Sequence, residues 1–379
     1  MKEVKVVIGA NYGDEGKGLM TNYFARQANE KHKKCLNILF NGGAQRGHTV
    51  ENGDFRHVFH AFGAASYQDA DTFYNHHFMV NPFIFLSEKK ELEELHINRG
   101  RTWVDWSCEI TTPYDILFNQ ALEQSRGKSR HGSCGCGIFE TFNRVNKGFH
   151  FTCKELFMSF GELYSKIKFI RDKYFAEKRM KETDIIFTIE WRKNFFSEVT
   201  LANFVKDLMD FKKSVYFSSL NEISDYYDTL IFEGGQGIAL DMDNKKDFPH
   251  LTPSHTGSDW VIEQLRELDG VFDVEVCYVT RSYFTRHGAG ALKNEVSKSD
   301  ELGIKNMDKT NVKNDWQGSI RYAPFDEKDY IQRVQPDVDK WNCDLLHKKI
   351  EHFKISQSFT HLNEISLIGE VDTSLSPYA

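Results

Sequence analysis

Two short segments concentrate the residue types that handle phosphate. Gly13-Asp14-Glu15-Gly16-Lys17-Gly18 stands between an apolar run, Val4 to Ala10, and a stretch where Leu19, Met20, Tyr23, Phe24 and Ala28 recur at helical spacing. A strand, a glycine-rich turn and a helix start form an anion site, because free backbone N–H groups and the helix dipole face the ligand. Gly13, Gly16 and Gly18 let the backbone approach phosphate oxygens, with Glu15 in the same turn, and Lys17 adds a point charge. The loop is not a Walker A motif, since Gly18 stands where G-x-x-x-x-G-K-[ST] has its magnesium-holding hydroxyl. Asp14 is a hard-oxygen ligand able to fill that gap. The second segment, Gly43-Ala44-Gln45-Arg46-Gly47-His48-Thr49, follows another apolar run, Leu36 to Phe40. A histidine and an aspartate converging beside a phosphate suit proton transfer.

These loops need a sheet to hold them. Val4 to Ala10 is β-branched and nearly continuous in apolar character, the mark of a buried parallel strand. Further strands are expected at Leu36 to Phe40, Ile185 to Ile189, Leu230 to Phe232 and Val274 to Arg281. Helices are expected at Glu88 to Leu95 and Trp260 to Leu268. Alternating strands and helices predict an α/β fold: a mostly parallel central sheet with helices on both faces and a P-loop-NTPase-like phosphate site at the strand C-terminal ends. The second loop is expected to lie beside the first. No repeat or low-complexity linker divides residues 1–379, which read as one elaborated domain, and Lys293 to Asp315 reads as a mobile charged excursion.

Bulk properties exclude several classes. The 379 residues are 40% hydrophobic and 27% charged, ordinary for a globular enzyme. A net charge of -7 argues against general affinity for nucleic acid or anionic membrane. No stretch approaches the roughly 18 apolar residues of a membrane span, and the chain enters a strand with no signal-peptide core, so a cytoplasmic protein is expected. Seven scattered cysteines read as free thiols, with Cys134 and Cys136 forming a C-x-C that lacks a second zinc-finger pair.

With both loops in view, the sequence resembles the adenylosuccinate synthetase family, which carries G-D-E-G-K-G after its first strand and A-G-H-T after its second. Other segments match in order. Gly132-Ser133-Cys134-Gly135-Cys136-Gly137-Ile138 resembles G-T-T-G-x-G-I, and Glu233-Gly234-Gly235-Gln236-Gly237, Leu240-Asp241 and Thr252 to Thr256 resemble E-G-A-Q-G, L-D and T-S-S-N-T. Thr285 to Gly290 looks like T-R-x-G-x-G. Thr360-His361-Leu362-Asn363 and Ser374 to Pro377 stand where the family has T-K-L-D and S-x-G-P.

The resemblance implies an NTP-dependent purine nucleotide–aspartate ligase. Asp14 would take the N1 proton of a 6-oxopurine and, with the carbonyl of Gly47, hold Mg²⁺. His48 would donate to the 6-oxygen as it attacks the γ-phosphate. Gly13, Glu15, Gly16, Lys17, Gly18, Gly47 and Thr49 would form the NTP phosphate site, and His361, Asn363, Ser376 and Pro377 the NTP base site. Gln45, Ser133, Cys134, Gln236 and Thr252 would hold the purine monophosphate. The family is typically homodimeric, with an arginine crossing to the neighbour's nucleotide phosphate; Arg144 is a candidate.

Departures sharpen the expectation. Thr310 to Arg321 resembles the T-N-x-x-N-x-W-Q-G-x-L-R form of a short archaeal and phage branch, which implies Thr310, Asn311 and Arg321 as the site for L-aspartate. Arg321 keeps the guanidinium geometry suited to a carboxylate. Where the family has a guanine-selecting aspartate, Asn363 offers one acceptor and one donor, complementary to adenine, so ATP or dATP is expected in place of GTP. His361 in place of a lysine points the same way. The short form and the lost aspartate resemble phage relatives that act on dGMP. Asp14 instead resembles ordinary members that act on IMP with GTP or ATP, so both purines stay open, with dGMP preferred. A non-catalytic NTP-binding regulator is the reading from a different class, and intact Asp14, Lys17 and His48 speak against it.

Overall fold

The apolar runs at Val4 and Leu36 both become strands, but a third strand separates them. The computed structural model describes residues 1–53, 55–182, 184–304, 313, 316–343 and 347–361. Its strands are β1 (Lys2–Gly9), β2 (Cys35–Leu39), β3 (His48–Asn52), β4 (Phe55–Phe59), β5 (Asp71–Tyr74) and β6 (Thr102–Val104), followed by β7 (Tyr216–Phe217), β8 (Thr229–Gly237), β9 (Phe272–Arg281), β10 (Tyr283–Arg286), β11 (Arg321–Pro324) and β12 (Ile350–Thr360). Eight of them form one sheet in the order β12-β9-β1-β8-β2-β5-β6-β7. Every pairing in this sheet is parallel. β3–β4 and β10–β11 are antiparallel ribbons outside it.

The parallel sheet explains the unbroken apolar runs, because each central strand is covered on both faces. On one face Val4, Val6, Ile8, Leu36, Ile38, Leu230 and Phe232 meet Val261 and Leu265 of the helix Asp259–Glu267 and Val334 of the helix Glu327–Asp339. On the other, Val7, Ile231, Cys277 and Val279 meet Met20, Phe24, Ala25 and Ala28 of helix α1 (Lys17–Glu30). A third, aromatic-rich cluster packs the helices Pro82–Glu94, Pro113–Arg126, Phe160–Ile170 and Glu198–Ser214 together. All seven cysteines are free. Among the described residues no helix is long and apolar enough to cross a membrane.

The fold class matches the expectation, with two corrections. β8 lies between β1 and β2, so the second loop does not lie directly beside the first. Ile185 to Ile189 is not a strand: Thr188 accepts from the N–H of Trp191 and caps the helix Ile189–Phe195. Phe187 and Trp191 pack on Phe118, while Ile186 and Ile189 are exposed. The apolar run there serves aromatic anchoring, not a ladder. Of the stretch read as an excursion, residues 305–312, 314 and 315 lie outside the described residues.

A buried carboxylate ties the outer helices to the sheet. Asp337 accepts from the N–H of Ser258 at 2.9 Å, the Ser258 hydroxyl at 2.6 Å and the Tyr278 hydroxyl at 2.8 Å. Removing one acceptor would strand buried donors on two elements. Asp337→Ala is therefore expected to lower the unfolding free energy by about 3 kcal/mol or more, read from urea denaturation; an unchanged midpoint would exclude this role.

Candidate active site

The first loop folds around its own acid. The Glu15 carboxylate turns inward, accepting from the N–H groups of Asn11 at 3.0 Å and Gly13 at 2.7 Å. Lys17 closes the turn, donating to the Gly13 carbonyl at 2.7 Å and pairing with Glu15 at 3.3 Å, both side chains almost fully buried. Glu15 thus shapes the loop in this structure. The first N–H groups of α1 lack intrahelical partners by helix geometry, an arrangement suited to an anion. Thr360, at the end of β12, donates to the Glu15 carbonyl, and its hydroxyl lies 2.9 Å from His361 Nδ1.

Gly18 shows why this loop has no Walker hydroxyl. A Cβ there would lie 2.9 Å from Cβ and 3.0 Å from the carbonyl carbon of His48, and 3.0 Å from the Thr49 carbonyl oxygen. The start of α1 therefore presses on the backbone of the second loop. A side chain at position 18 would push the two loops apart.

Glu233 anchors the second loop. It lies on β8 in register with Val7 of β1 and Leu39 of β2, between the strands that launch the two loops. One oxygen is 2.6 Å from His48 Nδ1 and 2.8 Å from Arg46 Nη2; the other accepts from the N–H of Ala64 at 3.1 Å. All three side chains are buried. Burial alone would raise the Glu233 carboxyl, but Arg46 and His48 override it and hold it at about 2. Burial, then the Arg46 charge, push the His48 imidazole down to about 3 against the pull of Glu233. The resting pair is a carboxylate and a neutral imidazole, so Nδ1 carries the proton and Nε2 the lone pair. Nε2 is buried with no hydrogen-bond partner among the described residues.

Beyond the strand ends opens a cavity of about 620 Å³, a size suited to a small-molecule site. Gly13 and Asp14 line it from the first loop, and Gln45, Arg46 and Gly47 from the second. Ser133, Cys134, Gln236 and Thr252 line it as well, so all five residues expected at the purine monophosphate face one space. Asn119 holds the 133–137 loop there, donating to the Ser133 hydroxyl at 2.7 Å and accepting from the Gly137 N–H at 3.1 Å. Gly132 and Gly288 touch backbone to backbone, and a Cβ on Gly132 would lie 2.7 Å from the Ala289 nitrogen. The side-chain oxygens of Gln45 and Gln236 are buried without a hydrogen-bond partner.

Asp14 is half-buried in this wall. Burial pushes its carboxyl above the ordinary value, with Glu15 adding to the rise and His287, Arg281 and Lys17 opposing it. A desolvated carboxylate beside an exposed Gly47 offers hard oxygen donors of the kind a divalent cation needs.

Other expected residues fall elsewhere. Arg321 does not line the cavity; its guanidinium donates to Glu295 at 2.8 Å and to the Gly290 carbonyl at 2.7 Å. Arg144 is fully buried within its own chain, bound to Asp115 and the carbonyls of Phe149 and Ile110, so it offers no group to a neighbour. Thr310, Asn311, Asn363, Ser376 and Pro377 lie outside the described residues. Sequence reasoning assigned no role to Glu233, Asn119, Arg286 or His287, and read Arg46, with Gln45, only as altering the floor under the purine. Glu233 had a signal, a lone carboxylate ending the apolar run Leu230 to Phe232. Arg286 is buried 4.5 Å over the Tyr12 ring, a pairing sequence does not reveal.

Known proteins bear out the family resemblance. A sequence profile of the adenylosuccinate synthetase family matches residues 6–313. The chain is 28% identical over 308 residues to adenylosuccinate synthetase of Clostridium botulinum, covering 79% of this chain and 66% of that one. It is 28% identical over 314 residues to that of Legionella pneumophila, with the same coverage. The chain thus spans just under two thirds of the length of these curated relatives. Among solved structures, the fold is similar to fully ligated adenylosuccinate synthetase of Plasmodium falciparum, with a TM-score of 0.67, 16% identity, and coverage of 94% of this chain and 77% of that one. It is also similar to cyanophage S-2L succinoaminodeoxyadenylate synthetase bound to dGMP and dATP, with a TM-score of 0.54, 13% identity, and coverage of 96% and 94%.

The contact at Gly18 gives a direct test. Gly18→Ala should keep the far-ultraviolet circular dichroism of the wild type but lower nucleotide affinity by about tenfold or more, the equivalent of about 1.4 kcal/mol. Undiminished affinity would mean that loop spacing is not set there.

Proposed function

The chain belongs to the adenylosuccinate synthetase family, and from that premise we propose that it is an ATP- or dATP-dependent ligase joining L-aspartate to carbon 6 of dGMP. The observation that carries the reading is Asp14: a half-buried carboxyl of raised proton affinity in the cavity shared by Gln45, Gly47, Ser133, Gln236 and Thr252. A carboxylate of that kind suits a general base. Asp14 takes the N1 proton, and electron density moves to O6, which attacks the γ-phosphorus and releases the nucleoside diphosphate. The first turn of α1 binds the triphosphate, Lys17 would have to exchange the Gly13 carbonyl and Glu15 for it, and His48 faces the transferred charge. Negative charge arriving near Nε2, with Glu233 behind Nδ1, raises the proton affinity of the ring; Nε2 takes a proton from water, and the resulting imidazolium donates a hydrogen bond to O6 from Nε2–H. The aspartate amine attacks C6, phosphate leaves, and an N6-succinyl-2-amino-2′-deoxyadenylate results.

Asp14 and the Gly47 carbonyl are the groups that would hold Mg²⁺, which when bound neutralises charge on the transferring phosphoryl group. Thr49 borders the phosphate loop. Thr310, Asn311 and Arg321 are proposed for aspartate; Arg321 would have to exchange Glu295 for the substrate carboxylate. Adenine recognition rests on the identity of Asn363, with His361, Ser376 and Pro377 proposed for the same base site. The active unit is proposed to be a homodimer in which an arginine other than Arg144 crosses over.

Two observations favour dGMP. The free acceptor oxygens of Gln45 and Gln236 suit a purine carrying an extra donor, such as the 2-amino group that guanine has and hypoxanthine lacks. The cyanophage structure with dGMP and dATP matches this chain over 94% of its own length. Asp14 itself favours the second reading, an IMP-dependent enzyme, because it is the residue of ordinary family members.

Phosphate release and succinylated product, measured with Mg²⁺, aspartate, each of dGMP and IMP, and each of ATP, dATP and GTP, test the proposal. Turnover with dGMP and an adenine triphosphate is expected, and Asp14→Ala should reduce it by about 10²–10⁴-fold. Turnover confined to IMP would overturn the substrate, and phosphate release without any purine monophosphate would overturn the ligase.

A further inference from the structure

Outside the cavity, at the carboxyl end of β5, the chain makes a tight turn from Asn75 to Phe78. The N–H of Phe78 donates to the Asn75 carbonyl at 2.8 Å, and that of His77 to the Asn75 side-chain oxygen at 3.2 Å. The turn presents two consecutive imidazoles, His76 and His77, with ring centroids 3.9 Å apart. It faces the helix Asp259–Glu267, to which Asn75 is bound through Gln264 at 2.5 Å. His77 lies flat on Trp260 of that helix, with centroids 3.7 Å apart and planes 7° from parallel. Glu263, one turn further along, brings its carboxylate to 3.6 Å from His77 Nε2.

We propose that His76, His77 and Glu263 form a binding site for a first-row transition-metal dication such as Zn²⁺, separate from the Mg²⁺ expected at Asp14. One potential ligand atom from each residue lies within 4.8 Å of the other two. A tetrahedral ion with metal–ligand lengths of roughly 2.0–2.1 Å needs its ligands about 3.3 Å apart. His77 and Glu263 are nearly at that spacing, and only His76 has to close in. His77 Nε2 is buried without a hydrogen-bond partner, an orphaned donor atom aimed at the carboxylate. Stacking on Trp260 fixes the ring plane, as a ligand ring requires. Two imidazoles and one carboxylate select Zn²⁺, Co²⁺, Ni²⁺ or Cu²⁺ over Mg²⁺ or Ca²⁺, whose ligands are oxygens. Three protein ligands leave a fourth position for water or a small anion.

The site would clamp the β5 turn to the helix that covers the sheet. Trp260 separates it from a second group, Asp241, Asp243 and His255, whose ring centroid stands 5.1 Å from that of Trp260. That group is the competing location, but its Asp241 carboxylate already accepts from the N–H groups of Asp243 and Thr256.

The test is calorimetric titration of the chelator-treated full chain with ZnCl₂ in excess Mg²⁺, beside the absorption spectrum of its Co²⁺ form. His77→Phe keeps the ring stack and removes the ligand atom, and Glu263→Gln changes a solvent-facing group, so both variants should fold. The proposal expects one Zn²⁺ per chain and a tetrahedral Co²⁺ spectrum. Each substitution should weaken binding at least about tenfold, a loss already seen on removing mere partners of ligands. Equal Zn²⁺ affinity in wild type and both variants, or loss only on Asp241→Asn, would overturn it. The readouts are binding and spectrum, so failure would leave the proposed ligase reaction untouched.

Discussion

The constraint on which the site depends is the buried carboxylate of Glu233. It is wholly enclosed, shared by a guanidinium and an imidazole, and placed on the strand between the two that launch the glycine-containing loops. Taking three polar side chains out of water is costly unless they satisfy one another. Here Arg46 supplies the compensating charge, His48 donates through Nδ1 and Ala64 fills the second oxygen, while Nε and Nη1 of Arg46 are buried without a hydrogen-bond partner among the described residues. That arrangement fixes which nitrogen of His48 is free, and so what the ring offers a ligand.

The sheet order makes this possible. A chain running from β1 through α1 to β2 would ordinarily leave two neighbouring strands, and the loops would meet edge to edge. Inserting β8 opens a slot between them, and the carboxyl end of β8 delivers Glu233 and Gln236 into it. The loops then reach each other over the top, where Gly18 lets α1 touch the backbone of His48 and Thr49. A carboxyl switch point of this kind is where parallel sheets take ligands. The rest of the cavity wall is brought in by backbone contact between Gly132 and Gly288 and by the grip of Asn119 on Ser133.

Much of this was legible in the residues, for identifiable reasons. The runs at Val4, Leu36, Leu230 and Val274 are buried on both faces, so their apolar character is continuous and the strands stand out. The glycine loops announced themselves by composition. What stayed hidden was long-range. No local pattern tells that β8 enters between β1 and β2, 190 residues or more from either along the chain. β12 was missed because it lies at the sheet edge, where His352, Lys354 and Gln357 face solvent and break the apolar run. Ile185 to Ile189 misled because an aromatic anchor and a capped helix produce the same apolar density as a strand. Arg321 carries the right chemistry for a carboxylate, yet it sits on Glu295 and Gly290, a commitment that depends on a ribbon pairing no motif encodes.

The central claim is that Glu233 holds the second loop in the shape the proposed reaction needs, and the most direct measurement is the paired stability and turnover of Glu233→Gln. The amide keeps the shape of the side chain but leaves the Arg46 guanidinium buried without a counter-charge. The account predicts a loss of about 3–5 kcal/mol in unfolding free energy, together with turnover that stays depressed at temperatures where the variant is fully folded. Wild-type stability and wild-type turnover in that variant would contradict it.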